Sequence, residues 1–486
     1  MMRGAVWSVG MRWTVRAIGL VSTVILARLL TPEDYGIVAM AMLVVGLIEV
    51  FGDTGHQLAL LRYREPSRAH YDSAFTIGLV TSLGLGVVVL IAAPFAAWGF
   101  DEPRVAPVMQ VLSLRVFVGG FVNIGTVAFR HELDFAKDFR FLVYRKLLTF
   151  LSGLIAALIL GNYWALVAGI VIGEAGSVVS SYLMHPYRPW IAFTKVRELW
   201  SISGWFLVGS VASFAHERGD EYVVTAIAPT GLFGEYHVAS DVASLPAAEI
   251  VMPLARGLFP IYTRLVSQPK QLLDAYINVL SMVTIICCSV AAGAAAIADD
   301  LVALLLGSQW QGSAPLLAWL VLHSACLGVA SSALLLHQAA GHAQLYARYS
   351  WLRVALVLPA MATVAWLSRD VVDVAMTRAA VSLLLIAPIL WTLPRVIPIK
   401  ATDVVSASWR PLLAAIVMFT LVAQIQAGLP FTLPISRVCV TVPSGAAIFF
   451  GTMLLSWLLA GRPPGPERAG LRWLADQLAR RRITAR

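Results

Sequence analysis

Residues 73–98 read SAFTIGLVTSLGLGVVVLIAAPFAAW, an unbroken run without one charged side chain. A helix needs about 20 mostly apolar residues to cross the hydrocarbon core of a bilayer. This run is long enough, and its apolar character extends all round the helix rather than along one stripe. Thirteen further stretches share that character: 10–30, 36–58, 107–129, 143–161, 163–184, 205–228, 232–255, 276–298, 312–337, 346–367, 371–393, 410–428 and 438–460. The longest pieces outside them are 256–275 and 461–486, so no soluble domain fits. Hydrophobic residues make up 59% of the chain and charged residues 13%. The sequence thus predicts an all-α integral membrane protein of about 14 transmembrane helices, despite a length that would suit several soluble domains.

The basic residues give the orientation. With the N-terminus in the cytoplasm, twenty-nine of the 36 Lys and Arg residues fall in or near every second gap between segments. Only Arg104, Arg369 and Arg437 lie in the alternate gaps, while Arg28, Arg115, Arg218 and Arg378 sit within segments. The positive-inside rule then predicts that both termini are cytoplasmic. The formal charge of +9 is a topology signal. It is not a nucleic-acid footprint, because no basic run is interleaved with base-stacking aromatics. Arg12, Arg16 and Arg28 interrupt the first apolar run, which reads as a retained helix rather than a cleaved signal.

Several function classes drop out. The chain has no GxxxxGK[ST] phosphate loop, and no HExxH or CxxC pair. Cys287, Cys288, Cys326 and Cys439 lie in apolar segments and read as small hydrophobes. The gaps on the outer side (31–35, 99–106, 162, 229–231, 299–311, 368–370 and 429–437) are too short for the acceptor loop of an outer-face glycosyltransferase or polymer ligase. A transporter, a channel or a structural membrane protein remains, with no catalytic residue, metal or cofactor assigned.

Polar residues inside the segments are the mechanistic lead. A charge at the centre of a spanning helix costs roughly 2.5–3.5 kcal/mol on insertion scales. Segment 7 nevertheless carries His216, Glu217, Arg218, Asp220 and Glu221. Glu217, Asp220 and Glu221 share a face through i, i+3 and i+4 spacing, with Arg218 rotated toward a neighbour. Such a cluster either lines a wet cavity, where a crowded carboxyl exchanges H⁺ or holds Na⁺, or staples helices together as internal ion pairs. Further acids expected to serve ion coupling are Glu49 and Asp53 in segment 2 and Asp241 and Glu249 in segment 8. The alternative for Asp53, which precedes Thr54-Gly55, is a polar helix end. Glu174 lies between Gly173 and Gly176, where close packing is the plainer reading. Arg16, Arg28, Arg115, Arg218 and Arg378 are candidate substrate contacts, since guanidinium binds phosphate oxygens bidentately. The plainer alternative for Arg28 is an anchor at the outer end, and for Arg115 and Arg378 snorkelling.

An internal repeat accompanies this pattern. Glu33-Asp34-Tyr35-Gly36-Ile37-Val38-Ala39, entering segment 2, is echoed by Gly234-Glu235-Tyr236-His237-Val238-Ala239, entering segment 8. The two acid-Tyr-x-aliphatic-Ala copies lie six segments apart, so they share an orientation, as parallel transporter repeats do. The implied plan is an N-lobe over 1–200, a C-lobe over 201–400, two added segments over 401–460 and a tail over 461–486. Pro246, Pro253, Pro260, Pro359 and Pro388 break segments, as in many transporters and also in rigid bundles. Residues 130–146 mix charge with Phe135, Phe139 and Phe141, which predicts an interfacial helix or an extension of segment 5. The tail, with Leu471, Leu474, Leu478 and Arg480–Arg482, reads as a basic amphipathic helix or a solvated segment.

Short motifs carry a family resemblance over roughly residues 10–400. Arg28-Leu-Leu-Thr-Pro-Glu-Asp-Tyr-Gly36 resembles the signature after the first helix of Wzx-like polysaccharide flippases, members of the multidrug/oligosaccharidyl-lipid/polysaccharide exporter superfamily. Trp164–Gly169, Pro253–Pro260 with Thr263-Arg264-Leu265, Leu304–Trp310 with Ala314–Leu317, and Gln338–Gly341 are similar to later stretches of the same family. The likeness is strongest to the exopolysaccharide or colanic-acid branch. It implies two six-helix lobes around a cavity and ion-coupled alternating access. The implied substrate is an undecaprenyl-pyrophosphate-linked oligosaccharide, with a polymerase and a chain-length regulator as partners. Arg16-Ala-Ile-Gly19 and Ala27-Arg28 match the first-helix pattern of the related lipid II flippases, but Ser22 stands where those have a further Arg. In that branch segment 7 commonly has an Asp where Asp220 stands; His216-Glu217-Arg218 departs from the pattern. Two other readings remain: a cation-coupled multidrug exporter of the same superfamily, and a non-transporting scaffold of a polysaccharide-synthesis complex.

Overall fold

A computed structural model describes residues 2–463 except 53, 54, 56, 58, 59, 62, 64, 65, 133, 201, 202, 248–251, 431 and 432. Each expected segment falls on a helix, and the matching helices are numbered α1–α14. They divide into two compact units, Met1–His237 and Val238–Arg486.

The first unit holds α1 (Met2–Leu29), α2 (Pro32–Val50), α3 (Arg68–Gly99), α4 (Val105–Gly119), α5 (Phe135–Leu160), α6 (Trp164–Met184), α7 (Ser203–Thr225) and the start of α8 (Thr230–Pro246). The second holds α9 (Pro269–Ala296), α10 (Ser313–Ala339), α11 (Ala343–Ser368), α12 (Val371–Leu384, followed by Ile386–Trp391), α13 (Ala401–Gly428) and α14 (Pro434–Leu459). The division between these two units lies inside α8.

Among the described residues nine helices are long and apolar enough to span a membrane, or ten if the bent pair Val105–Gly119 and Ile124–His131 counts as one span. The chain is a multi-pass membrane protein. Among the described residues α1, α2, α7 and α8 fall outside that set, so the expected count of 14 is not confirmed. Arg16 and Arg28 lie on α1, Glu33, Asp34 and Glu49 on α2, and five polar residues in six on α7; α8 has 17 residues and ends at Pro246. These are the first two helices of each sequence repeat, so the polarity is concentrated at equivalent places.

Local chemistry sets the helix boundaries. Thr31 and Asp34 form a reciprocal capping box at the start of α2. The other Asp34 oxygen accepts from the Tyr163 N–H at 2.8 Å, tying that start to the head of α6. The 68° bend after α4 follows Gly119-Gly120, and Asn123 caps the next turn by accepting from the Gly125 N–H at 2.9 Å. Residues 135–146 are the first turns of α5, capped by Asp134, and not a separate interfacial helix. The helix of segment 5 simply continues through them.

Packing inside each unit is membrane-like. Gly153 of α5 and Gly169 of α6 bring the two backbones together, and a Cβ at Gly173 would meet Thr149. Ala414, Met418, Phe449 and Met453 fill the contact of α9, α13 and α14 in the second unit. Outward faces stay apolar, with Leu183 82% and Leu459 79% exposed. Trp98, Trp190, Trp366 and Trp391 stand exposed at or near helix ends, as at membrane interfaces.

Residues 185–195 form an extended strap laid on the first turns of α3. Asp72 accepts from the Tyr187 hydroxyl (2.7 Å) and the Trp190 N–H (2.8 Å). The Thr76 hydroxyl accepts from the Ala192 N–H at 2.9 Å, and the Asn123 amide donates to the Tyr187 carbonyl at 2.7 Å. These side chains hold backbone groups of the strap in place of a sheet partner.

Candidate functional site

The charges of α7 form a compact network in the first unit. Asp220 and Glu221 are both 2% exposed. Arg218 pairs with Glu221 one turn on, and His237 Nδ1 of α8 lies 3.2 Å from the same carboxylate. The Tyr236 hydroxyl donates to Asp220 Oδ2 at 2.7 Å. Both α8 partners thus come from the second copy of the repeat. The helix is held against α2, where the Tyr222 hydroxyl donates to the Leu43 carbonyl at 3.0 Å and Phe214 lies over Gly46. A buried carboxylate is tolerable only when paired or hydrogen-bonded, and each of these is.

The rotation of α7 differs from the expectation in two respects. Glu217 is exposed and is not part of the buried pair. Arg218, expected to face a neighbouring helix, pairs with Glu221 on its own helix. Tyr236 and His237, read in the sequence only as a repeat, emerge as the groups that hold the α7 carboxylates. A Tyr-His pair at the head of an apolar helix was the available signal.

A second polar centre is a cavity of about 280 Å³ in the same unit, between α2, α3, α4 and α6. Two ion pairs stand in its wall: Arg115–Glu49 at 2.9 Å and Arg145–Glu174 at 3.0 Å. Thr81, Ser82 and Asn123 add polar groups; Gly52, Gly78, Gly119 and Gly120 leave the room. Glu49 and Arg115, expected separately as an ion-coupling and a substrate residue, are therefore partners. Glu174 is a cavity acid rather than a mere neighbour of packed glycines, and Arg145 joins the site from the head of α5.

The remaining candidates are placed as follows. Arg16 is half-buried on α1 and Arg28 is exposed in its last turn. Arg378 is buried in α12 of the second unit, with Nη1 3.5 Å from the Ser240 hydroxyl. Asp241 is exposed on α8. Asp53, Glu249 and the tail from 464 lie outside the described residues.

A third cluster lies at the loop end of α2, α3 and α8. Arg104 Nη2 meets Glu33 at 2.6 Å and Glu102 at 2.7 Å, and the Thr230 hydroxyl donates to Glu102 at 3.0 Å. Hydrogen bonds from Arg104 hold the Glu102 carboxyl down to about 2 against the opposing effect of burial.

Comparison with known proteins agrees with this architecture. The chain is 23% identical over 326 residues to the lipopolysaccharide biosynthesis protein WzxC of Escherichia coli (strain K12), covering 65% of each chain. It is 24% identical over 329 residues to the succinoglycan biosynthesis transport protein ExoT of Rhizobium meliloti (strain 1021), covering 67% of this chain and 66% of that one. The matches thus take in just under two thirds of either relative's length. Among solved structures, the lipid II flippase MurJ in an inward closed conformation superposes with a TM-score of 0.73 at 12% identity, over 94% of this chain and all of that one. An inward-facing multidrug resistance MATE family transporter of the MOP superfamily gives 0.58 at 16% identity, over 78% and 94%. These likenesses establish a shared fold. Residues 25–315, more than half of the sequence and the part that contains both polar centres of the first unit, match the polysaccharide biosynthesis protein family, and the chain belongs to that family.

Proposed function

We propose that the protein is a flippase that carries undecaprenyl-pyrophosphate-linked oligosaccharide units across the bacterial inner membrane for exopolysaccharide, capsule or O-antigen-type synthesis. The observation that carries this reading is a pair of polar centres, the buried acids of α7 and a cavity walled by two ion pairs, inside a membrane unit whose outward faces are apolar. A sugar-phosphate headgroup needs a polar route through hydrocarbon, and intramembrane charge marks such routes. Membership of the polysaccharide biosynthesis family and the fold shared with a lipid II flippase support the substrate class.

Transport proceeds by alternating access, with both termini in the cytoplasm and loading from the cytoplasmic leaflet. In the first unit Arg218 or Arg16 contacts the pyrophosphate or an acidic sugar, while Asp220 and Glu221 exchange the coupling ion, H⁺ or Na⁺. A polymerase and a chain-length regulator would receive the product. No chemical bond is made or broken, so the role is transport and not catalysis.

Reconstitution tests this. Proteoliposomes holding the protein should move undecaprenyl-pyrophosphate oligosaccharide between leaflets faster than protein-free vesicles. Movement of small organic cations without any effect on the lipid would contradict the reading and favour the multidrug exporter, whose fold is also shared.

A further inference from the structure

We infer that the cavity of the first unit is a subsite for one sugar ring of the headgroup beyond the first, distinct from the groups that take the pyrophosphate. The inference rests on the flippase reading and names the ligand chemistry of one part of it.

Charge balance decides the ligand class. Each guanidinium in the wall already has its carboxylate, Arg115 with Glu49 and Arg145 with Glu174. A pyrophosphate entering here would face both acids, and a cation would face both arginines. A ligand without net charge but rich in hydroxyls meets neither penalty. The walls also offer what a polyol needs. A guanidinium has five N–H donors. Arg115 directs only Nη1 at Glu49, and Arg145 only Nη2 at Glu174. The other donors, together with the Thr81 and Ser82 hydroxyls, complement sugar oxygens, and Phe75 and Val116 supply apolar wall for the ring C–H groups.

Size and place agree. The space of about 280 Å³ equals roughly nine waters' share of liquid volume at about 30 Å³ each. It lies at the small end of ligand pockets, which run from roughly 300 to 1,000 Å³, and suits a ring rather than a whole oligosaccharide. It is walled by the end of α2, the first half of α3 and the end of α4, beside the strap 185–195. In the orientation set by the basic residues this is the cytoplasmic half, where the lipid-linked unit is loaded.

Gly119→Leu projects a side chain from the end of α4 into the cavity beside Glu174. Gly119→Ala is a milder companion, because its Cβ would meet Glu174 at an ordinary 3.5 Å. The probes are two lipids in proteoliposomes: undecaprenyl pyrophosphate with the host's full repeat unit, and the same lipid trimmed to its first sugar. An impermeant pyrophosphatase reports how much of each reaches the outer leaflet. Gly119→Leu should slow the full-unit lipid about 10-fold while changing the single-sugar lipid less than about twofold, with Gly119→Ala between it and the wild type. Equal loss on both lipids, or no loss on either, would overturn the subsite. A wild-type protein that moves neither lipid would overturn the flippase reading beneath it.

Discussion

Asp220 shows how much of the account depends on single contacts. Its carboxylate is almost fully buried and receives the Tyr236 hydroxyl. Tyr236→Phe keeps the ring and removes that donor, so a buried acceptor loses a bond. The expected cost is about 1–3 kcal/mol, measured as a lower melting temperature of the purified protein in detergent. An unchanged melting temperature would mean that Asp220 does not depend on Tyr236. The α7 charges were legible in the sequence because charge is so improbable within an apolar run. Their partners were not, since Tyr236 and His237 lie on another helix and only folding brings them to Asp220 and Glu221. Helix periodicity grouped Glu217 with the other two acids correctly by spacing. It gave no measure of how deep that side of the helix is buried, and Glu217 is exposed.

At the scale of elements, the repeat has a structural purpose that its sequence did not disclose. A Cβ on Gly36 of α2 would overlap the Thr230 carbonyl, and one on Gly234 of α8 would overlap the Pro32 carbonyl. The two motif copies therefore pack backbone to backbone, and glycine is required by that closeness. Gly234→Val must push the helices apart. Overpacking costs about 1–3 kcal/mol where side chains can shift, and here backbone leaves less slack. The variant should melt lower than wild type and transport poorly in the same vesicles. Wild-type melting and transport would show that this contact is dispensable.

The Glu33–Arg104–Glu102–Thr230 cluster beside it has a defined pH response. Glu102 is held down to about 2, below its ordinary 4.5. A depressed carboxyl stabilises the fold above the ordinary value, and that stabilisation is lost as pH falls through about 2. Arg104 is half exposed, so its ion pairs contribute no more than about 1 kcal/mol. Glu102→Gln should accordingly melt slightly lower than wild type, by an amount constant from pH 5 to 8. The gap should close as the medium is acidified toward pH 2. A gap that varies between pH 5 and 8 would contradict this assignment.

For the whole molecule, membrane class and helix positions were legible from apolar length alone, because lipid demands it of every spanning helix. α2 and α7 carry charged side chains within their apolar runs, and charge so placed is what drew attention to them in the sequence. Less legible were the cavity and its two ion pairs. Glu49 and Arg115 lie 66 positions apart, and Arg145 and Glu174 lie 29 apart. No periodicity within one helix links them. The unit boundary at His237 was hidden for a related reason: α7 packs on α2, a tertiary choice that segment counting does not contain.

The central claim is that this chain moves lipid-linked oligosaccharide through a route that uses the α7 charges. Deleting its gene and assaying lipid-linked oligosaccharide on the cytoplasmic leaflet tests that claim most directly. The account predicts accumulation that the intact protein relieves, and that Arg218→Ala, present in the membrane at normal level, does not. Normal polysaccharide synthesis without accumulation, or full rescue by Arg218→Ala, would contradict it.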